Sequence, residues 1–128
     1  MQTNLPAPIF LGDWEKSRDV FQSFNYHYDG ENILFAAYAQ DYGYDGTALV
    51  IFEKDGKLFE IHGGHCSCNG LENQWSPEES SFLAIKKLIA EKAADLENGY
   101  CGEFGKLIAE PIAAWAAEYE RLNGEALQ

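Results

Sequence analysis

The sequence predicts an α+β fold built on a small antiparallel sheet, and three observations point to it. Asp55-Gly56 sits between two apolar runs, the strongest short-range hairpin signal a sequence carries. Upstream, Asn32 to Ala39 is apolar at nearly every position, as in a strand covered on both faces. Downstream of Ser76 the apolar residues change to the 3.6-residue period of helices. The expected architecture is a leading helix, a three-stranded antiparallel meander and two C-terminal helices packed on one face of the sheet. A short fourth strand around Cys66–Cys68 is a variant of the same plan.

Taken in order, residues 1–11 contain Pro6 and Pro8 and read as an extended lead-in. Asp13 is the expected N-cap of a helix from Trp14 to Phe24, whose Trp14, Phe21 and Phe24 share one stripe. Tyr28-Asp29-Gly30 interrupts the pattern before the first strand, and Gln40 to Gly46 is a loop. Thr47 to Glu53 is the second strand. The Asp55-Gly56 turn is of type I′, because both central residues need positive φ. That turn sets Val50 opposite Ile61, Phe52 opposite Phe59 and Leu49 opposite His62. Ala48, Val50, Phe52, Phe59 and Ile61 then form one apolar face, which the helices are expected to cover. Leu49, Ile51, Glu53, Leu58, Glu60 and His62 form a mixed face, expected to stay partly open. Ser76-Pro77-Glu78-Glu79 has the residues of a helix start, with Ser as N-cap and Pro at the first position. The helix is expected from Pro77 to about Glu97, where Asn98-Gly99 stops it. The last helix spans about Glu103 to Leu122, with Pro111 expected to kink or split it, and residues 123–128 form a frayed tail.

The 128 residues fit a single domain, 1–128, long enough to bury a core without metals or disulfides. No apolar run approaches the ~18 residues of a membrane span, and the N-terminus lacks the basic and apolar regions of a secretory signal. A cytoplasmic location is the expectation. Three cysteines are an odd number, and Cys66 and Cys68 stand too close for an easy mutual bridge, which fits reduced thiols. The charge balance is the most unusual bulk property: 21 acidic against 9 basic residues, a formal −12. Direct binding to nucleic acid or to anionic membranes is disfavoured, since both require Lys and Arg to meet phosphates. A positively charged partner is favoured, although the same charge also serves solubility.

The densest collection of chemical groups is His62-x-x-His65-Cys66-x-Cys68. Zinc takes four N or S ligands, so His62, His65, Cys66, Cys68 and Cys101 form an alternative ligand set. Cys-x-Cys lacks the two-residue spacer of the usual zinc knuckle, however, and buried thiols beside a hydrogen-bonded histidine are the plainer reading. A nucleophilic reading makes Cys66 the thiolate and His62 or His65 the base; such pairs usually meet through the fold and not as sequence neighbours. Glu53 and Glu60 share the mixed face with His62, and Tyr42 and Tyr44 lie at a strand end. These four are candidate interaction residues, tyrosine being a good interface anchor. No cofactor-binding or catalytic set stands out.

Residues 44–79 carry a further signal. Tyr44, Gly46, Ala48, Val50 and Phe52 precede Asp55-Gly56-Lys57-Leu58-Phe59-Glu60-Ile61. Gly63, His65-Cys66-Ser67-Cys68, Gly70-Leu71-Glu72, Gln74-Trp75 and Pro77-Glu78 follow. The pattern resembles a family of small uncharacterised proteins of bacteriophages and bacterial genomes, and Ile33-Leu34-Phe35-Ala36 matches a segment recurring there. The resemblance implies an α+β domain of phage type acting in a bacterial cytoplasm, with Asp55, Gly56, His65, Cys66, Cys68, Trp75 and Pro77 as its structural motif. It brings no catalytic residues. With the charge, it leads to the expectation of an accessory protein, not an enzyme, that binds a host protein with a basic surface. Inhibition of a defence or nucleic-acid-handling complex, of anti-CRISPR or anti-restriction type, is the sharpest form of that expectation.

Overall fold

The hairpin turn organises the sheet. In the computed structural model, which describes residues 5–40, 45–67, 70–97 and 103–124, Asp55 and Gly56 have φ of 54° and 80°. They join β3 (Gly46–Lys54) to β4 (Lys57–His65), closed by the Lys54–Lys57 pair. Glu53 fastens the turn: its Oε1 accepts the Gly56 N–H at 2.7 Å, and its Oε2 accepts from Asn32 Nδ2 at 2.8 Å. Val50 lies opposite Ile61, Phe52 opposite Phe59 and Leu49 opposite His62, as the turn chemistry requires.

Two further strands extend the hairpin and a third begins the sheet. Strand β2 (Asn32–Gln40) runs antiparallel to β3, and β5 (Glu78–Ser80) antiparallel to β4. Strand β1 (Ile9–Gly12) adds to β2 in parallel, giving a five-stranded mixed sheet in the order β1-β2-β3-β4-β5. The fold is α+β, but the sheet is larger than a three- or four-stranded antiparallel meander. Both additional strands are short edge strands. Pro6 and Pro8 precede β1 and lack the N–H a ladder needs, which makes a four-residue edge strand look like plain lead-in. Gly12, at the end of β1, has φ +71°, and a Cβ there would meet the Tyr38 carbonyl oxygen at 2.0 Å.

The first two helices depart from expectation at their starts, whereas the last begins at Glu103 as expected. Helix α1 (Ser17–Ser23) begins after Trp14. Asp13 is tied to the sheet by its N–H to the Tyr38 carbonyl at 2.8 Å. The Asp19 carboxylate, inside the helix, instead accepts the Glu15 and Lys16 N–H groups. Helix α2 (Phe82–Glu97) begins five residues beyond Pro77, because Glu78, Glu79 and Ser80 pair with Glu60, Phe59 and Leu58. The β4 edge offers those residues a ladder, and Ser81 supplies the cap, its Oγ accepting the Ala84 N–H at 3.1 Å. Helix α3 (Glu103–Asn123) passes through Pro111 as one helix without splitting. It ends on buried Asn123, whose Nδ2 donates to the Tyr119 carbonyl at 3.0 Å. Cys66 and Ser67 lie outside the sheet, so the extra antiparallel strand is β5 and not the cysteine segment. Cys68, Cys101, Asn98-Gly99 and residues 125–128 of the tail lie outside the described residues.

Both faces of the sheet are buried. Helices α2 and α3 cover the face of Leu49, Ile51 and Leu58, where Phe82, Ile85, Ile108, Ile112 and Trp115 pack. The expected partly open face is therefore the one the C-terminal helices bury. Its polar residues sit toward strand ends and the sheet edge. The Val50 face takes α1 and the segment leading to Trp75, with Trp14, Val20, Phe24 and Leu71 packed on Ala48, Val50, Phe52 and Ile61. The two faces are both apolar along β3, and alternation alone does not say which helix takes which face. A bulge between Ile33 and Phe35 serves this arrangement by turning the consecutive Leu34 and Phe35 to the same core. Trp75 closes the second core, stacked on Tyr26 at 4.3 Å and on Phe52 at 5.5 Å, with Phe24 edge-on at 5.3 Å. Among the described residues no helix is long and apolar enough to cross a membrane.

Ile51 is 0 % exposed, whereas Leu83, on the outer side of α2, is 78 % exposed. Ile51→Ala is expected to lower unfolding free energy by about 2–5 kcal/mol, and Leu83→Ala by less than about 0.5 kcal/mol. Urea denaturation followed by circular dichroism checks both.

Candidate functional site

The segment that follows β4 folds back on the strand ends and borders an open polar pocket of about 590 Å³. Gln74 holds it in place: its Oε1 accepts the Gly64 N–H at 3.0 Å and its Nε2 donates to the Gly70 carbonyl at 3.1 Å. Asn73 turns the chain at φ 67°, and Leu71 is driven into the core below Gly63, where a Cβ would stand 3.0 Å from it. His65, Ser67, Glu72 and Asn73 remain as the polar lining. Leu71, Gln74 and Trp75 thus explain why this motif is shaped as it is, through packing and two backbone hydrogen bonds.

His65 stands at the centre of a hydrogen-bond relay. Its Nε2 lies 2.6 Å from the Tyr38 hydroxyl and its Nδ1 2.8 Å from the Cys66 carbonyl oxygen. Gln40 Nε2 donates to the Tyr38 oxygen at 2.8 Å. A carbonyl can only accept, so Nδ1 carries a proton, and in the neutral ring Nε2 accepts from Tyr38. The ring lies directly over Gly46, where a Cβ would come within 2.2 Å of Nε2. Burial raises the Tyr38 hydroxyl pKa above its ordinary value; Asp13 and Glu72 add to the rise and the Gln40 hydrogen bond opposes it.

Among the described residues, His62, His65 and Cys66 do not converge on one site. His62 and His65 are three apart on one strand, and alternation sends them to opposite sides of the sheet. His62 is exposed and bonds Glu60 through Nε2 at 2.9 Å. Both ring nitrogens of His65 are engaged, one by the Tyr38 hydroxyl and one by the Cys66 carbonyl, and the Cys66 side chain is exposed. Among the described residues no group of three His, Cys, Asp or Glu side chains is placed to hold a metal ion. Cys68 and Cys101 of the zinc set lie outside those residues.

Glu60 gathers Ser80, whose Oγ donates to Oε2 at 2.5 Å, and His62 on its other oxygen. The residue types are those of a hydrolase triad, but the order is not. Here the carboxylate lies between hydroxyl and imidazole, so it is Glu60 and not the imidazole of His62 that meets the serine. Of the other interaction candidates, Glu53 is occupied by the hairpin, and Tyr42 and Tyr44 lie outside the described residues. Asp55 and Gly56 make the turn, and Pro77 leads into β5.

Glu31 is a polar group the sequence did not single out. It is 4 % exposed, accepting the Asp29 N–H at 2.8 Å and the Tyr26 hydroxyl. A glutamate after Asp29-Gly30 looks like any turn residue, and its burial accompanies the packing of Phe21 and Trp75 on Tyr26. Tyr38 was equally hidden, inside an apolar strand.

No protein-family model matches the chain, and neither a curated protein nor a solved structure matches it.

Two outcomes follow from these contacts. In long-range ¹H–¹⁵N spectra at neutral pH, unprotonated His65 is expected as the Nδ1–H tautomer, and Gly46→Ala is expected to displace the ring and abolish that preference. Burial, then the hydrogen bond to Glu31, pushes the Tyr26 pKa from 10.0 up to about 12. A raised folded-state value means that this hydroxyl's contribution to stability is complete below pH 10.0 and is lost as pH rises toward about 12. The stability difference between the wild type and Tyr26→Phe should therefore shrink across that window, as measured by urea denaturation at successive pH values.

Proposed function

We propose that this chain is a small acidic accessory protein of phage type that acts by binding a host protein with a basic surface. Its target on this reading is a nucleic-acid-handling or defence complex of the CRISPR or restriction kind, inhibited because carboxylates take the place of phosphates. The observation that carries the proposal is the charge: 21 acidic against 9 basic residues, a formal −12. Five of the basic side chains, Lys54, Lys57, Lys86, Lys106 and Arg121, are each already paired with a carboxylate. Acidic residues are accordingly left in excess over the surface.

On this reading the strand-end pocket is one place where such contact would form. Asp13, Asp45 and Glu72 are exposed around Tyr38 and His65, and among the described residues Asp13 and Glu72 belong to no ion pair. A basic groove approaching this end would meet negative charge on a rigid frame, the sheet being buried on both faces. Attraction of this kind speeds association and falls steeply as salt rises.

Affinity purification from a bacterial host, followed by competition with DNA and RNA, tests the proposal. The expected result is a partner with a basic nucleic-acid-binding surface, released by nucleic acid and by raised salt, and bound several-fold more weakly by Asp13→Asn/Glu72→Gln. Recovery of no such partner, or of one indifferent to nucleic acid, would overturn it.

A further inference from the structure

At the end of the sheet away from His65, the start of β2, α1 and the lead-in line a second open pocket, of about 530 Å³. Leu5, Pro6 and Pro8 contribute aliphatic lining, and Phe21 and Tyr28 contribute aromatic rings 5.4 Å apart. Ser17, Glu31 and Asn32 are the polar members. Tyr28 is 57 % exposed, a large aromatic surface left to solvent at the margin of a concave site.

The unusual member is Glu31. Its side chain is almost completely buried, and both oxygens accept hydrogen bonds, from Asp29 N–H and Tyr26 O–H, the pattern of an ionised carboxylate. Yet among the described residues no cation lies within ion-pair distance of it; the nearby Lys54 pairs with Asp29, at 3.1 Å. Lys54 acts on Glu31 only at longer range, and a buried carboxylate without a direct ion pair is one that proteins ordinarily pair. Each oxygen of Glu31 keeps a second lone pair, and the residue lines the cavity.

We propose that this cavity binds a guanidinium group carried on an aliphatic stem, with Glu31 as its counter-ion. The planar cation would take the remaining lone pairs of the carboxylate in the forked geometry that guanidinium favours. Phe21 and Tyr28 would offer ring faces to it, and the prolines and Leu5 would cover the stem. A guanidinium suits this lining better than an ammonium, which is more strongly hydrated and does not stack. The inference is separate from the partner reading above, since it concerns a different end of the molecule and a chemical group, not a macromolecule.

The test is an NMR titration of the ¹⁵N-labelled full chain with N-acetyl-arginine methylamide, with agmatine, and with the neutral isostere N-acetyl-citrulline methylamide. Saturable millimolar shifts confined to Ser17, Phe21, Tyr28, Glu31 and Asn32 are expected with the guanidinium compounds, and none with citrulline. Binding of both cations assigns recognition to the group itself; binding of the capped arginine alone assigns it to an arginine within a polypeptide. Glu31→Gln retains both internal hydrogen bonds if Tyr26 becomes the acceptor, and is expected to weaken binding about tenfold or more. Tyr28→Ala, at an exposed position, is expected to weaken it about two- to fivefold without disturbing the fold. Non-saturating shifts spread over the acidic surface, equal binding of citrulline, or unchanged affinity in both variants would overturn the proposal. No partner protein enters this experiment, so its outcome is distinct from that of the purification.

Discussion

Strand β3 has no free face. Leu49 and Ile51 point into the core beneath α2 and α3, while Ala48, Val50 and Phe52 point into the core with α1 and Trp75. A slip of one residue against β4 would exchange these sets and bring Glu60 and His62 into an apolar core. The Asp55-Gly56 turn forbids that slip locally, and two cores forbid it globally. The other elements are arranged around this strand: β2 and β4 flank it, β1 and β5 close the edges, and a helical layer lies on each side.

The same two-sided burial explains where the chemistry is placed. With the middle of the sheet occupied by packing, polar groups collect at its ends. One end carries the Gln40–Tyr38–His65 relay and the Gln74-stapled cavity, and the other carries Glu31 with its aromatic surroundings. His65 stands at the first of these ends, where it rests on Gly46 and holds the Cys66 carbonyl as the chain leaves β4.

Much of the sheet could be read from residues alone. The hairpin register, the turn type and the two-sided burial of β2 rest on φ restrictions and alternation, which act over a few neighbours. Helix starts were less readable. Ser76-Pro77-Glu78-Glu79 has good capping chemistry, yet the open edge of β4 takes Glu78–Ser80 as a strand, and Ser81 caps instead. Asp13 likewise has the composition of a cap but is held by the Tyr38 carbonyl. In each case a distant partner outcompeted a local preference.

The candidate sites divide in the same way. Clustering of His62, His65 and Cys66 in sequence suggested shared chemistry, and strand alternation separates the two histidines. Tyr38 and Glu31 bear no local mark, since an apolar strand and a turn explain them equally well. By itself, then, the amino-acid sequence determined the α+β class, the β3–β4 register and the acidic balance, because turn geometry, period and composition are properties of short segments or of the whole chain. Only the tertiary structure decided which helices cover which face, added β1 and β5 to the edges, paired Tyr38 with His65 and buried Glu31. Those outcomes depend on contacts between residues far apart in the chain, which no local pattern encodes.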